Sequence, residues 1–347
     1  MTRRTEARYG VGADHAEEHV KSRSLYFDDT LQRRRRHWGR RLLIVLLAPI
    51  LLPAGFFCYV EFRLHRVGVF GDDAGRPADT PGSNWLIVGS DSRDGLSKEQ
   101  RKTYHTGGGV GKRTDSMMLL HIGDHATTLV SLPRDSYVPI PGHGSNKLNA
   151  AFAFGGPKLL ARTIENSSGL HIDHYAEIGF GGFVGMVDAV GGVRMCIKAP
   201  VRDKKAGLNL KAGCQQLNGA QALGYVRSRH AFAGGDLDRV KHQREFLAAL
   251  VHKATSPGVL ANPFRSVPFA QQASESITVA DGDHLWNLAS FASAMRSVTK
   301  GDGLTTTVPV KGTGSAPGVG QYVTWDTSRA AALFKALRED QPVPKSG

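Results

Sequence analysis

Residues 84–90 read NWLIVGS, a short apolar run that ends on Gly89 and Ser90. Such a run reads as a buried strand. SMMLLHI (116–122) and TTLVSL (127–132) read the same way, with the turn GDHA between them. Downstream, residues 157–168 read as a helix, HYAEIGF (174–180) as a strand, GFVGMVDAV (182–190) as a helix and VRMCI (193–197) as a strand. Segments 219–229, 237–254 and 283–299 read as helices, TTTVPV (305–310) and QYVTW (321–325) as strands. TSRAAALFKALRED (327–340) reads as a closing helix capped by Thr327 or Ser328. Strands interleaved with helices predict one α/β domain over 84–340, a central mixed sheet covered by helices on both faces. No internal repeat is visible.

Upstream the composition changes. GDDAGRPADTPGS (71–83) has the Gly, Pro and Asp content of a linker, and 61–83 is assigned to one. Residues 42–60, LLIVLLAPILLPAGFFCYV, carry no charge across nineteen positions. At about 1.5 Å per residue that run spans a hydrocarbon core of about 30 Å. Residues 1–41 form a basic tail with eleven Lys or Arg, six of them in RRRRHWGRR beside the run. Its first 32 residues are polar and expected to be largely disordered. The positive-inside rule puts this tail in the cytoplasm and everything after residue 61 outside, making the chain a single-pass membrane protein. A cleaved signal peptide is the rival reading.

The 347 residues carry a net charge of +13, which favours anionic partners. Export leaves lipid phosphates and cell-wall polymers as those partners and disfavours nucleic acid. Cys58 sits in the apolar run, while Cys196 and Cys214 lie in the exported part. Oxidation is permitted there, and a bridge between them would contribute about 3 kcal/mol. Two buried free thiols are the alternative.

Charged residues cluster at the predicted strand ends. GSDSR (89–93) puts Asp91 and Arg93 just past the first strand, and GKRTDS (111–116) puts Arg113 and Asp115 just before the second. If those strands are antiparallel neighbours, the two ends coincide. SLPRDS (131–136) adds Arg134 and Asp135 at the end of the third. Asp oxygens are hard ligands, and Mg²⁺ is held by one or two carboxylates together with phosphate oxygens. GGGVGKRTDS (107–116) imitates a phosphate-binding loop, but Thr106 occupies the first Gly position and Arg113 follows the Lys.

YVRSRHAFAGGDLDRVKHQREF (225–246) holds Arg227 and Arg229 two apart, then Arg239 and Gln243 four apart on one helical face. Leu247, Leu250, Val251 and Ala254 continue that helix as an apolar stripe. Arg227 and Arg229 point the same way only if their end of the preceding segment is extended. Arg grips phosphate bidentately and keeps its charge. Together these residues predict a pyrophosphate site. LNAAFAFGGP (148–157) and EIGFGGFVGMVDAVGGV (177–193) are rich in Phe, Met and Gly, fitting core packing or a lipid tail beside the head group. Lys147 and Asn149 precede the first of these blocks and are candidates to face the phosphates.

GSDSR, RTDSMMLLHI, SLPRDSYVPIPG, KLNAAFAFGGP, DHYAEIGFGGFVGMVDAVGGV, LNGAQALGYVRSRH and GDLDRVKHQREFLAAL resemble, in order, the blocks of LytR-CpsA-Psr proteins over about residues 84–254. The resemblance implies an extracytoplasmic phosphotransferase that moves a glycopolymer from a polyprenyl-pyrophosphate carrier to a peptidoglycan hydroxyl and releases polyprenyl phosphate. It implies Asp91 and Asp115 at the Mg²⁺ position, with Mn²⁺ as the alternative ion, and Arg227 and Arg229 offsetting the charge of the leaving phosphate. Arg113, Arg134, Arg239 and Gln243 correspond to its phosphate-contacting set, to which Arg93 and Lys147 are added. Cys196 and Cys214 resemble a cysteine pair of actinobacterial members. No general base is assigned, and no further domain is expected after residue 340. A membrane protein that captures polyprenyl phosphates for regulation, and a polyprenyl-pyrophosphate pyrophosphatase, are the competing functions.

Overall fold

A computed structural model describes residues 41, 43–71, 75–93, 96–106, 113–125, 127–228 and 236–343, those of 236–241 by backbone alone. The apolar run forms a helix, α1 (Leu43–Arg63), long and apolar enough to cross a membrane. A first strand β1 (His65–Val67) follows it, then β2 (Ser83–Ser90), α2 (Lys98–Thr103), β3 (Thr114–Ile122) and β4 (Thr127–Leu132). A hairpin, β5 (Tyr137–Ile140) and β6 (Gly144–Lys147), leads into α3 (Leu148–Ser168), β7 (His174–Ile178) and α4 (Phe180–Ala189). Four short strands come next: β8 (Val193–Ile197), β9 (Val201–Asp203), β10 (Leu208–Leu210) and β11 (Gly213–Leu217). Helices α5 (Gly219–Arg227), α6 (Asp236–Ala254), α7 (Pro257–Leu260) and α8 (Pro263–Ser276) precede β12 (Ile277–Ala280) and α9 (Leu285–Lys300). The chain closes with β13 (Leu304–Thr307), β14 (Val310–Ala316), β15 (Gly320–Trp325) and α10 (Thr327–Arg338).

Seven strands make the central mixed sheet, in the order β1-β12-β7-β2-β3-β4-β13. β2 runs antiparallel to β3 and parallel to β7. Side chains alternate across the pleat. Leu86 and Val88 therefore join Met117, Leu119 and Tyr175 against α3 and α10, in a layer with Leu160, Ile164, Leu333 and Phe334. Trp85, Met118, Leu120 and Ala176 face the other way, onto Val251 of α6 and Ala294, Met295 and Val298 of α9. Each fully buried Leu, Met or Phe contributes about 1.5–3 kcal/mol. The predicted sheet with helices on both faces is what the chain builds. A third cluster packs β8–β11 against α4, α5 and α6, where Phe246 and Leu250 are buried. On its exposed side Cys196 and Cys214, register partners of β8 and β11, are joined as a disulfide.

Several boundaries differ from the sequence reading. Residues 61–83 are not all linker. Val60, Leu64 and Val69 are buried, β1 pairs in parallel with β12, and Val60–Gly347 form one unit. Phe180 starts a helix rather than ending a strand, because Gly179 takes an extended N-cap and the Phe180 N–H donates to Ser92 O at 3.1 Å. TTTVPV breaks at Val308-Pro309, since proline has no N–H for a ladder. Asp326, rather than Thr327 or Ser328, caps α10, its carboxylate accepting from Arg329 N–H. The helix read at 157–168 begins at Leu148, with a kink at Gly155 and Gly156 that Pro157 follows.

Candidate phosphate and lipid site

The antiparallel register of β2 and β3 brings their charged ends together, as the strand-end argument required. Ser90 pairs with Thr114 across a bulge, and Asp91 and Arg113 close the ladder. Asp91 N–H donates to Arg113 O at 2.8 Å, and Arg113 N–H donates back to the Asp91 carboxylate at 2.7 Å. Asp115 lies inside β3, not before it, and accepts from Arg134 Nη1 at 2.7 Å. Asp135 then ties Arg134 Nε at 3.3 Å to Lys147 Nζ at 3.2 Å. The first turn of α3 is anchored on the same loop, since Asn149 N–H donates to Arg134 O at 3.1 Å.

Arg227 ends α5, and Ser228 after it is extended (φ −62, ψ 128), the geometry that alternate arginines require. Its guanidinium lies 4.6 Å over the Phe180 ring and donates to Tyr104 O at 3.2 Å. A cation over an aromatic face gains about 0.5–1 kcal/mol and is held flat. Phe180 is itself fixed by Ser92, next in chain to Asp91. Arg93 Nε donates to Thr106 O at 2.9 Å, so this arginine braces the α2 loop. Gln243 is buried, with its amide donating to Val226 O at 3.0 Å. Arg229 and the side chain of Arg239 lie outside the described residues.

Behind these groups a cavity of about 120 Å³ opens between the sheet and α4, α5 and α6. Asp115, Arg227 and Gln243 line it together with an apolar wall that includes Phe183, Met186, Leu223 and Phe246. Ser90 lines it too, 2% exposed, and its hydroxyl has no hydrogen-bond partner. Buried polar groups are normally satisfied, so an orphaned donor on this wall marks room for an acceptor. Small-molecule pockets run to about 300–1,000 Å³, so a long occupant requires α4, α5 and α6 to draw apart. On α5, burial and the charge of Glu245 push the Tyr225 hydroxyl up to about 12, so it stays protonated.

Sequence reasoning missed Phe180 and the α2 carbonyls. Phe180 was hidden because the run was read as strand up to that position. Asp91 and Asp115 supply the hard oxygen donors that suit a divalent cation bound with phosphate. Elsewhere among the described residues, Asp79, His171 and Asp173 bring ligand-type atoms within 4.8 Å of one another.

Comparison with known proteins finds relatives by sequence and by fold. The LytR_cpsA_psr family profile matches residues 72–339. The chain is 50% identical over 296 residues to a probable cell wall biosynthesis protein LcpB of Corynebacterium glutamicum, covering 85% of this chain and 70% of that one. It is 38% identical over 180 residues to a polyisoprenyl-teichoic acid–peptidoglycan teichoic acid transferase TagU of Enterococcus faecalis, covering 51% of this chain and 55% of that one. A LytR-Csp2A-Psr enzyme from Actinomyces oris superposes with a TM-score of 0.61 at 22% identity, over 80% of this chain and 96% of that one, which speaks for the fold.

Proposed function

Because the chain belongs to the LytR-CpsA-Psr family, we propose that it is a phosphotransferase that moves a glycopolymer from a polyprenyl-pyrophosphate carrier to a peptidoglycan hydroxyl. The observation that carries this reading is one cavity whose wall is largely apolar and whose polar lining includes Asp115, Arg227 and Gln243 with Ser90 and Ser116. A lipid tail has its place in the apolar part and a pyrophosphate at the charged rim. The name of the TagU relative supports the donor and acceptor classes.

Arg227 and Arg134 hold the pyrophosphate and spread its charge, and Phe180 keeps the Arg227 fork in plane. Asp115 orients Arg134. Asp91 and Asp115 are the residues that would hold Mg²⁺ or Mn²⁺, and a bound ion supplies charge neutralisation at the phosphates. The acceptor hydroxyl bonds to the phosphorus nearer the glycan and gives up its proton to solvent water. The phosphoanhydride bond breaks, and the lipid monophosphate departs into the field of Arg227 and, with it, Arg229. Catalysis of this kind is positioning and electrostatics. The helix α1 is the single membrane anchor, and the folded unit faces the cell wall, opposite the basic tail.

The test is full-length protein in detergent with a lipid-pyrophosphate-linked glycan, a divalent cation and peptidoglycan strands. Release of polyprenyl phosphate matched by label on peptidoglycan is expected. Release without acceptor would make it a pyrophosphatase, and binding without release a lipid-capturing regulator; either result overturns transfer.

A further inference from the structure

A buried carboxylate that the transfer chemistry does not use stands behind Arg227. Asp203, the last residue of β9, is 6% exposed, and Ser228, next in chain to Arg227, is fully buried. The Ser228 hydroxyl donates to Asp203 Oδ2 at 3.0 Å. The other oxygen, Oδ1, receives the N–H groups of Lys205 at 3.0 Å and Ala206 at 3.1 Å. A carboxylate is costly to bury without partners, and here three donors converge on it. With one oxygen Asp203 closes its own turn, and with the other it reaches the end of α5.

The same turn meets Arg227 by a second route. Gly207 (φ 64) lies against the His105 ring, so closely that a Cβ on it would collide with that ring. His105 O and Tyr104 O both receive Arg227 Nη1, at 3.5 Å and 3.2 Å. α5 approaches just as closely, since a Cβ on Gly224 would stand 2.9 Å from Ala206 O. The mount itself is firm. Val201, Leu208 and Leu210 are buried in the cluster of β8–β11, and the hairpin lies within the loop that Cys196 and Cys214 close. The Ser228 N–H is held by Gly224 O at 3.0 Å while its hydroxyl is held by Asp203. Pinned on two sides, Ser228 fixes the point from which Arg227 leaves the backbone. Small displacements of such a group are expensive, a shift of about 1 Å costing up to about 10²-fold in rate.

We propose that Asp203 is a positioning residue for pyrophosphate binding: through Ser228 it holds the end of α5 so that Arg227 faces the cavity it lines. Asp203 itself touches no reacting atom. This rests on the transfer reading, in which Arg227 grips the pyrophosphate.

Full-length protein in detergent with a divalent cation is titrated calorimetrically with geranylgeranyl pyrophosphate, which carries no sugar. The variants are Asp203→Ala, Ser228→Ala and Arg227→Ala, with the last also combined with each of the other two. Thermal melting checks that each is folded. Ser228→Ala cuts the link but leaves the backbone bonds of Asp203 in place, so it decides the question should Asp203→Ala not fold. Either substitution alone is expected to raise Kd about tenfold, within the range over which residues of one network couple. Added to Arg227→Ala, it is expected to change Kd by less than about twofold, because its effect passes through that guanidinium. A merely structural role would add its loss in full to that of Arg227→Ala, which overturns the proposal. So do folded single variants that bind as wild type does. The reading is made without turnover, so a wild type that binds the pyrophosphate but releases no polyprenyl phosphate sinks transfer and leaves the Asp203 result standing. Additive losses in a protein that does transfer sink Asp203 alone.

Discussion

Arg227 shows how one side chain can be assigned a task from its surroundings. Its guanidinium lies over the Phe180 ring and donates to the Tyr104 carbonyl. Those contacts hold the fork in plane at the cavity it lines. Arg227→Ala is expected to lower polyprenyl phosphate release by about 10²–10³-fold, the loss typical when one preorganised donor is removed. Arg227→Lys keeps the charge but not the planar fork, so it recovers only part of that. Both variants keep the wild-type melting curve, because Arg227 is half-buried at a helix end and fills no core. Wild-type release in either removes Arg227 from the mechanism. Ser90 is subtler. Its hydroxyl is buried without a partner, so Ser90→Ala costs little stability, yet it weakens geranylgeranyl pyrophosphate binding if the hydroxyl serves the ligand. Calorimetry that finds unchanged affinity removes Ser90 from the site.

Among the elements, α3 and α10 carry features that hold the architecture in place. At Gly156 a Cβ would meet no heavy atom within 4 Å, so Gly156→Ala acts through the backbone alone. The position sits where only glycine is at ease, and the substitution is expected to cost about 1–3 kcal/mol. In a unit of this size each kcal/mol moves Tm by about 2–4 °C, which a melting curve resolves. An unchanged Tm would mean the kink relaxes freely. At the far end of α10, Asp340 is buried beneath the β3–β4 turn. Burial pulls its carboxyl up, but the Asp124 N–H with His125 and His121 pulls harder, and the net shift is downward. A carboxylate so depressed adds stability that is fully present above its unfolded value of about 3.9 and is lost as pH falls through the lower folded value. Asp340→Asn removes that contribution, so its stability should fall less steeply than wild type below about pH 4. Parallel acid limbs in urea melts at several pH values would show that Asp340 does not titrate with folding.

For the whole molecule, the readable part of the sequence was its punctuation. NWLIVGS, SMMLLHI and TTLVSL are long enough to declare themselves, and the charges at their ends named Asp91, Arg113, Asp115 and Arg134 before any sheet order was known. What stayed hidden depends on partners remote in sequence. β1 and β12 are three and four residues long and are strands because of remote partners, β1 on β12 and β12 on both β1 and β7. Phe180 is helical because Ser92, far upstream, accepts its N–H. Composition assigned 61–83 to a linker, whereas tertiary burial draws Leu64 and Val69 into the domain, together with Val60 at the end of the apolar run. This difference decides where a soluble form can begin. A chain starting at Val60 keeps β1 on the sheet edge and Glu61 accepting from Leu285 N–H at 2.9 Å. A chain starting at Asn84 loses that strand and three buried apolar side chains, each worth about 1.5–3 kcal/mol. Since whole domains are stable by only about 5–15 kcal/mol, the shorter form is expected to melt well below the longer one or to aggregate. Equal melting temperatures for the two truncations would mean that residues 60–83 add nothing to the fold, and that the domain starts where composition alone put it.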